Sequence, residues 1–376
     1  MTSKERLLTA LRGGSVDRPA VSFYEIDGYL QDTVDSDAFN IYNAQSWQPL
    51  LRLARERSDS TVAFTNSVRA LTCNPLDELT RVESWHDEHG ARFTRRSLRA
   101  KRRTLTSVVR RDREVNTEWT LEHFIKDTDD FEAWLALPEE ELHFEVDATP
   151  TLDLEAKVGD GGIVVQDVAD AVCCVASLFD MGTWTVMALT EQALIQRALE
   201  RVHRGIVARL TAACAVLPGR LWRIVGPEYA SEPYLPPSLF RKYVTEFDKE
   251  LVATIHRSGG WARVHSHGCL RNILDAIADT GCDALDPIEP PHQGDISLAE
   301  VRARYGDRWT LFGNLEATDL ENLPTPEFEK KIASALKEGV GGKGFVLMPS
   351  ASPYGRNISA VCLRNYKRMI EMAEGA

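Results

Sequence analysis

The chain has 376 residues, 43% hydrophobic and 27% charged, the profile of an ordinary globular protein. Its net charge of −12 speaks against a nucleic-acid footprint, and no apolar run is long enough to span a membrane. Seven cysteines, odd in number and without a disulfide-like framework, fit a reducing cytoplasm.

The start, "MTSKERLLTALRGG", reads as an amphipathic helix with Ser3 as N-cap and Glu5 near the first turn. It lacks the apolar core of a signal peptide. Two short β-rich runs follow, "AVSFY" (20–24) and "STVAFT" (60–65). Residues 80–150 then break the rhythm with a β-meander and a helix, "TDDFEAWLAL". The basic run at 95–111 lies in that meander and alternates with Leu, Thr and Val, which suits the solvated face of a hairpin. Further apolar runs are "GIVVQDV" (162–168), "LWRIVG" (221–226), "WARVH" (261–265), "CDALDP" (282–287), "WTLFGN" (309–314) and "GFVLMP" (344–349). Helical patterns separate them at 191–217, 237–259, 296–306 and 326–339. The second of these starts with Pro-Ser and stops at Gly-Gly.

Eight such strand–helix units, most strands apolar on both faces, predict a (β/α)8 TIM barrel. The whole chain, 1–376, is read as one barrel domain, with 80–150 as an insertion after the second unit. Sites in this fold collect at the C-terminal ends of the strands. Those ends carry Tyr24, Glu25 and Asp27; Asn66; Asp167 and Asp170; Glu228 and Tyr229; His265 and His267; Glu289 and His292; Asn314 and Glu316; Ser350 and Ser352. The set is rich in carboxylates and imidazoles and poor in Lys or Arg.

In "VHSHGC" (264–269) two imidazoles stand two residues apart, on one face of an extended strand. A His-X-His pair plus a carboxylate suits a divalent metal with open positions. Glu228, at the end of the neighbouring fourth strand, is the third ligand by position; Glu289 and His292 flank the other side. A lone strand histidine is more often structural than a ligand, but two at this spacing at a barrel mouth favour metal. Cys269 is read as a packing residue at the start of the next helix. Asp167, Tyr229 and Tyr24 are the candidate acid–base groups, and Glu25, Asp27, Asn66, Asp170 and Asn314 the candidate substrate contacts. Each has a plainer reading: helix caps for Asp167, Asp170 and Glu316, aromatic packing for the tyrosines, a turn for Gly313-Asn314. Trp85, Trp119 and Trp134 read as core of the insertion.

The chain resembles the uroporphyrinogen decarboxylase-like superfamily. The stretches that carry the resemblance are "KERLLTALRGGSVDRPAV", "GPEYASEPYLPPSLFRKYV", the segment from "HSHGCLRNILDAIADTGCDALDP" through "LFGNLEATDL", and "FVLMPSASPYGR". The resemblance implies a barrel and two activities: decarboxylation of uroporphyrinogen acetate arms without metal or cofactor, and zinc-dependent methyl transfer. In the second, a His-X-Cys pair after the fifth strand and a Cys after the eighth hold zinc, and related members move methyl groups to and from a separate corrinoid protein. This sequence departs from both. Glu25 and Asp27 stand in "SFYEIDGY", where the decarboxylase carries arginines, and "MPSASPYG" has no His. His267 stands where the methyltransferases have Cys, and Ser350, Ala351 or Ser352 replaces the last thiolate.

The sequence therefore points to a metal-dependent methyltransferase- or demethylase-like enzyme acting on a small methylated compound. His265, His267 and Glu228 would hold the divalent metal, zinc by family precedent, as a Lewis acid. No Asp-X-His-X-X-Gly motif occurs, so a corrinoid would sit on a partner protein. The alternative is a cofactor-free decarboxylase or lyase of a small acid using Asp167, Tyr229 and His267; a non-catalytic binding barrel is the third reading. A cytoplasmic location and, from the family alone, a homodimer are expected.

Overall fold

The computed structural model describes residues 1–65, 68–70, 75–101, 103–139 and 142–376, with backbone alone at 68–70. Eight parallel strands form one barrel-shaped sheet: Ala20–Val21, Ser60–Phe64, Gly162–Ala169, Leu221–Val225, Trp261–Ser266, Ala284–Pro287, Thr310–Leu315 and Gly344–Pro349. Ladders join each strand to the next from the second to the eighth, and the eighth to the first. These are the eight apolar runs of the sequence, and the (β/α)8 class holds.

The seam between the first two strands is closed differently. Asp59 N–H donates to Val21 O (2.7 Å), and the Asp59 carboxylate accepts from Val21 N–H (2.8 Å), Arg6 (2.5 Å) and Arg18 (2.7 Å). Asp59 is fully buried, so one carboxylate ties the N-terminal helix to both edges. That helix, Ser3–Leu11, is capped by Thr2 rather than Ser3, with Glu5 returning the capping box. The first strand is shorter than the five apolar residues suggest. Ser22 still donates to Leu347 O, but Tyr24 has φ +61° and turns the chain away from the sheet.

Helices cover the outside. Gln192–Val216 and Pro237–Arg257 match the long helical patterns, the latter with a π-type turn at Arg241–Thr245. The barrel interior is layered by strand alternation: Ile163, Val165, Leu221, Ala284, Phe312, Val346 and Met348 form its apolar floor. Above that floor the same inward parity continues into polar residues, and these build the site.

Between the second and third barrel strands lies a four-stranded antiparallel sheet, Thr80–His86, Arg92–Ala100, Arg103–Arg111 and Glu118–Glu122. Val68–Ala70 pairs with Phe144–Val146 in a separate two-stranded sheet, and the helix Thr128–Leu135 starts from an Asp127 cap. Leu98, Ala100 and Leu105, on one face of the sheet, join the main core. Among the described residues no helix is long and apolar enough to cross a membrane.

Candidate functional site

His265 is the fifth residue of the fifth barrel strand, in register with Val225 on one side and Asp286 on the other. Its ring is buried, and Nδ1 donates to Asp286 Oδ2 at 2.8 Å. Among the described residues the other nitrogen, Nε2, meets only the Tyr24 hydroxyl, at a long 3.4 Å. Asp286 is itself fully buried and lies 3.1 Å from the Arg263 guanidinium. Burial would raise its pKa, but Arg263 and then His265 hold it down at about 2.

His267 follows the strand end and is partly open to solvent. Its Nδ1 lies 2.9 Å from Glu289 Oε1, whose Oε2 accepts from Gly268 N–H at 2.8 Å. Burial alone would lower the imidazole pKa; the Glu289 hydrogen bond and charge outweigh it and raise it. The two imidazoles stand nearly perpendicular with ring centres 4.6 Å apart. Each thus has Nδ1 fixed on a carboxylate and Nε2 uncommitted or nearly so.

A second network crosses the mouth from strand three to the first loop. Arg223 makes a two-point contact with Asp167 (2.8 and 2.7 Å) and reaches Glu25 at 3.1 Å. Its guanidinium also lies 5.4 Å from the Tyr24 ring centre. Asp167 is therefore committed to an arginine. Glu25 is at the mouth and half-exposed. Asp27 is not brought into this cluster: its carboxylate accepts from the amides of Tyr29 and Leu30 and folds its own loop.

A third group lies behind the fourth-strand end. Asp170 caps the helix Ala171–Ala176 by accepting from Cys173 N–H. Its Oδ2, Glu228 Oε2 and both oxygens of Asp248 are buried without a hydrogen-bond partner among the described residues. Burial, then the charge of Asp248, raises the Asp170 pKa well above the usual range, and burial pushes Asp248 up to about 8. Tyr229 is half-buried beside this group, its carbonyl accepting from the Trp184 indole. Gly226 permits the approach, since a Cβ there would meet Cys173 Cβ at 2.1 Å and Asp170 Oδ1 at 2.7 Å.

Glu316, at the N-cap of Ala317–Asn322, is pushed up to about 7 by burial and by the charges of Glu289 and Asp319. Buried Ser350 donates to it at 3.4 Å. Asn314 and Glu316 border a cavity of about 190 Å³ together with Pro290 and Pro291. His292 is exposed. Cys269 precedes a helix that begins only at Leu274; it is partly exposed, and burial raises its thiol pKa. Asn66 lies outside the described residues.

The sequence pattern passed over two cations. Arg223 and Arg263 are register partners on adjacent strands, both buried in the barrel. The signal was present, because Arg263 shares with His265 the two-residue spacing that pairs His265 with His267. Asp286 was visible in "CDALDP" but carried no mark of its role.

The family model described as "Uroporphyrinogen decarboxylase (URO-D)" matches residues 171–372, more than half of the chain. Among curated proteins, the uroporphyrinogen decarboxylase of Psychromonas ingrahamii is 26% identical over 220 residues, 56% of this chain and 58% of that protein. That of Vibrio cholerae is 27% identical over 169 residues, 43% of each chain. The chain thus aligns with well under two thirds of these relatives' length. Among solved structures, a methyltransferase from Methanosarcina mazei superposes with a TM-score of 0.61 at 17% identity, over 100% of this chain and 98% of that one. This is a likeness of fold. The match over residues 171–372 spans barrel strands four to eight with His265, Asp286 and Glu316, and the chain belongs to the uroporphyrinogen decarboxylase (URO-D) family.

Proposed function

We propose that this chain is a methyltransferase-like enzyme of the URO-D family that demethylates a small methylated substrate at the barrel mouth, with a divalent metal on His265 and His267. One observation carries the reading. Both imidazoles have Nδ1 on a carboxylate, Asp286 and Glu289, which leaves Nε2 as the ligand atom and adds the outer-shell partner that metal-bound histidines usually have.

The residues fit the metal in part. The two imidazoles are oriented for it, and Glu228 Oε2 is a buried oxygen without a partner among the described residues. Among the described residues no three His, Cys, Asp or Glu side chains already converge on one point, so Glu228 has to turn toward the imidazoles to complete the set. Zinc is the first candidate, since imidazole and carboxylate both suit it. When bound, the metal supplies Lewis acidity toward a heteroatom of the substrate.

The chain's own residues do the rest. Asp286, anchored by Arg263, fixes the tautomer and direction of His265. Asp167 and Glu25 hold Arg223 at the mouth. Tyr24 places a hydroxyl beside His265, and burial raises its pKa, so it stays a proton donor. The methyl acceptor, a corrinoid on a separate protein, belongs to the same proposal.

A second reading has one observation in its favour. The raised pKa of His267 suits a general acid in a metal-free decarboxylase or lyase, the reading in which Asp167 and Tyr229 are the further acid–base groups. Elemental analysis of protein purified without chelator separates the two. The first reading expects one transition metal per chain, lost in His265→Ala. Metal-free protein with undiminished turnover would overturn it.

A further inference from the structure

The loop after the first barrel strand turns on two residues. Ile26 N–H donates to Phe23 O at 3.3 Å, so Tyr24 and Glu25 are the central residues of a β-turn. Both ends of the turn are fixed, because Phe23 and Ile26 are buried in the main core. Further on, Gly28 lies so close to the helix Gln48–Arg57 that a Cβ would stand 2.3 Å from Leu51 O, and Arg55 donates to the Gly28 carbonyl at 2.9 Å. Movement that leaves the loop folded is therefore confined to Tyr24 and Glu25. Tyr24 has φ +61°, and Glu25 does not share the positive sign. That is the pattern of a type II′ turn, whose first central position favours Gly because a Cβ is strained there. A bulky side chain held in such a place is the kind of outlier that gathers at clamps and switches.

The side chain shows what the strain achieves. The Tyr24 ring packs on the apolar floor of the barrel and lies nearly parallel to the His265 imidazole (5.8 Å, 23°). Its hydroxyl stands 3.4 Å from His265 Nε2. Nδ1 donates to Asp286, so Nε2 carries the ring's lone pair, and the Tyr24 hydroxyl takes it up. An ion bound to that nitrogen at about 2.0–2.1 Å would compete with the hydroxyl for the same lone pair. Glu25 supplies a latch. Its carboxylate accepts from Arg223 at 3.1 Å and is half-exposed, while Asp167 fixes the same arginine through two shorter contacts. The turn is thus fastened to an immobile cation by one solvent-screened bond, which is weak.

We infer that Tyr24 is a gate on His265: latched, its ring and hydroxyl cover Nε2; turned outward on the same anchored turn, it opens that nitrogen to the mouth. That a divalent cation is what passes the gate rests on the function proposed above; the gate itself does not. Diethyl pyrocarbonate, a small electrophile that acylates unprotonated imidazole nitrogens, tests it without any metal in the assay, so the result stands apart from the reading of His265 and His267 as ligands. The rate of modification at His265 is followed by tandem mass spectrometry and normalised to the exposed His89. Tyr24→Gly removes the ring and takes the positive φ without strain; His265 should react at least about tenfold faster than in the wild type. Glu25→Ala leaves the core untouched and releases only the latch, which should raise the rate about two- to fivefold and decides the matter if the glycine variant does not fold. A His265 rate in folded Tyr24→Gly within about twofold of the wild type, or no change in Glu25→Ala, would overturn the inference.

Discussion

Arg223 and Arg263 are paired in register on adjacent barrel strands, and each guanidinium is bound to a carboxylate from another strand. Asp167 takes the first and Asp286 the second. Two like charges thus share the barrel interior because each is compensated locally. The carboxylates in turn lean on the mouth, Asp286 directly through His265.

Asp286→Asn tests that arrangement. It removes the charge that compensates Arg263 and weakens the hold on His265 Nδ1. Breaking a buried ion pair from one side costs about 3–5 kcal/mol. Urea unfolding of the variant should show a loss of that order without a change in slope. A loss under about 1 kcal/mol would mean that Arg263 is compensated elsewhere.

Asp167 and Glu25 bind the same arginine from different surroundings. Asp167 makes two short contacts and is mostly buried, while Glu25 makes one at 3.1 Å and is half-exposed. Solvent screens the second contact, so Glu25→Gln should change stability by about 1 kcal/mol or less. Asp167→Asn should cost clearly more in the same unfolding experiment. Equal losses would contradict the assignment of Asp167 as the residue that holds Arg223.

Burial raises the Asp248 carboxyl pKa from 3.8 to about 8. A folded-state pKa above the unfolded one gives a contribution that is complete below about pH 4 and is lost as pH rises through about 8. Asp170, shifted in the same direction, adds to it. Asp248→Asn cannot ionise, so it should gain on the wild type between about pH 5 and about pH 9. Parallel unfolding series at those two pH values check this. A difference between variant and wild type that does not change with pH would contradict it.

What the sequence made legible follows from physics that is local along the chain. Apolar runs of strand length, helix caps and the Pro-Ser start of the 237–257 helix all depend on neighbours in sequence, so the barrel could be read. So could His265 and His267, whose common direction follows from strand alternation alone. Asp286 could not. Its meaning comes from facing His265 across a ladder, and nothing in "CDALDP" records that register. Arg263 shows the other failure: its parity was readable, but a cation on a buried strand makes sense only once Asp286 is known to lie beside it. Asp27 failed in the opposite sense, since its position after the first strand looks like a site and its carboxylate is spent on two backbone amides.

The central claim is that the Nε2 atoms of His265 and His267 hold a divalent metal without thiolate help. Cobalt(II) titration of the apoprotein tests it most directly, because the visible ligand-field bands report occupancy and a near-ultraviolet charge-transfer band reports sulfur ligands. The titration should saturate at one cobalt per chain, show no thiolate band, and lose its spectrum in both His265→Ala and His267→Ala. No binding at all, a strong thiolate band, or a spectrum unchanged in the two variants would contradict it.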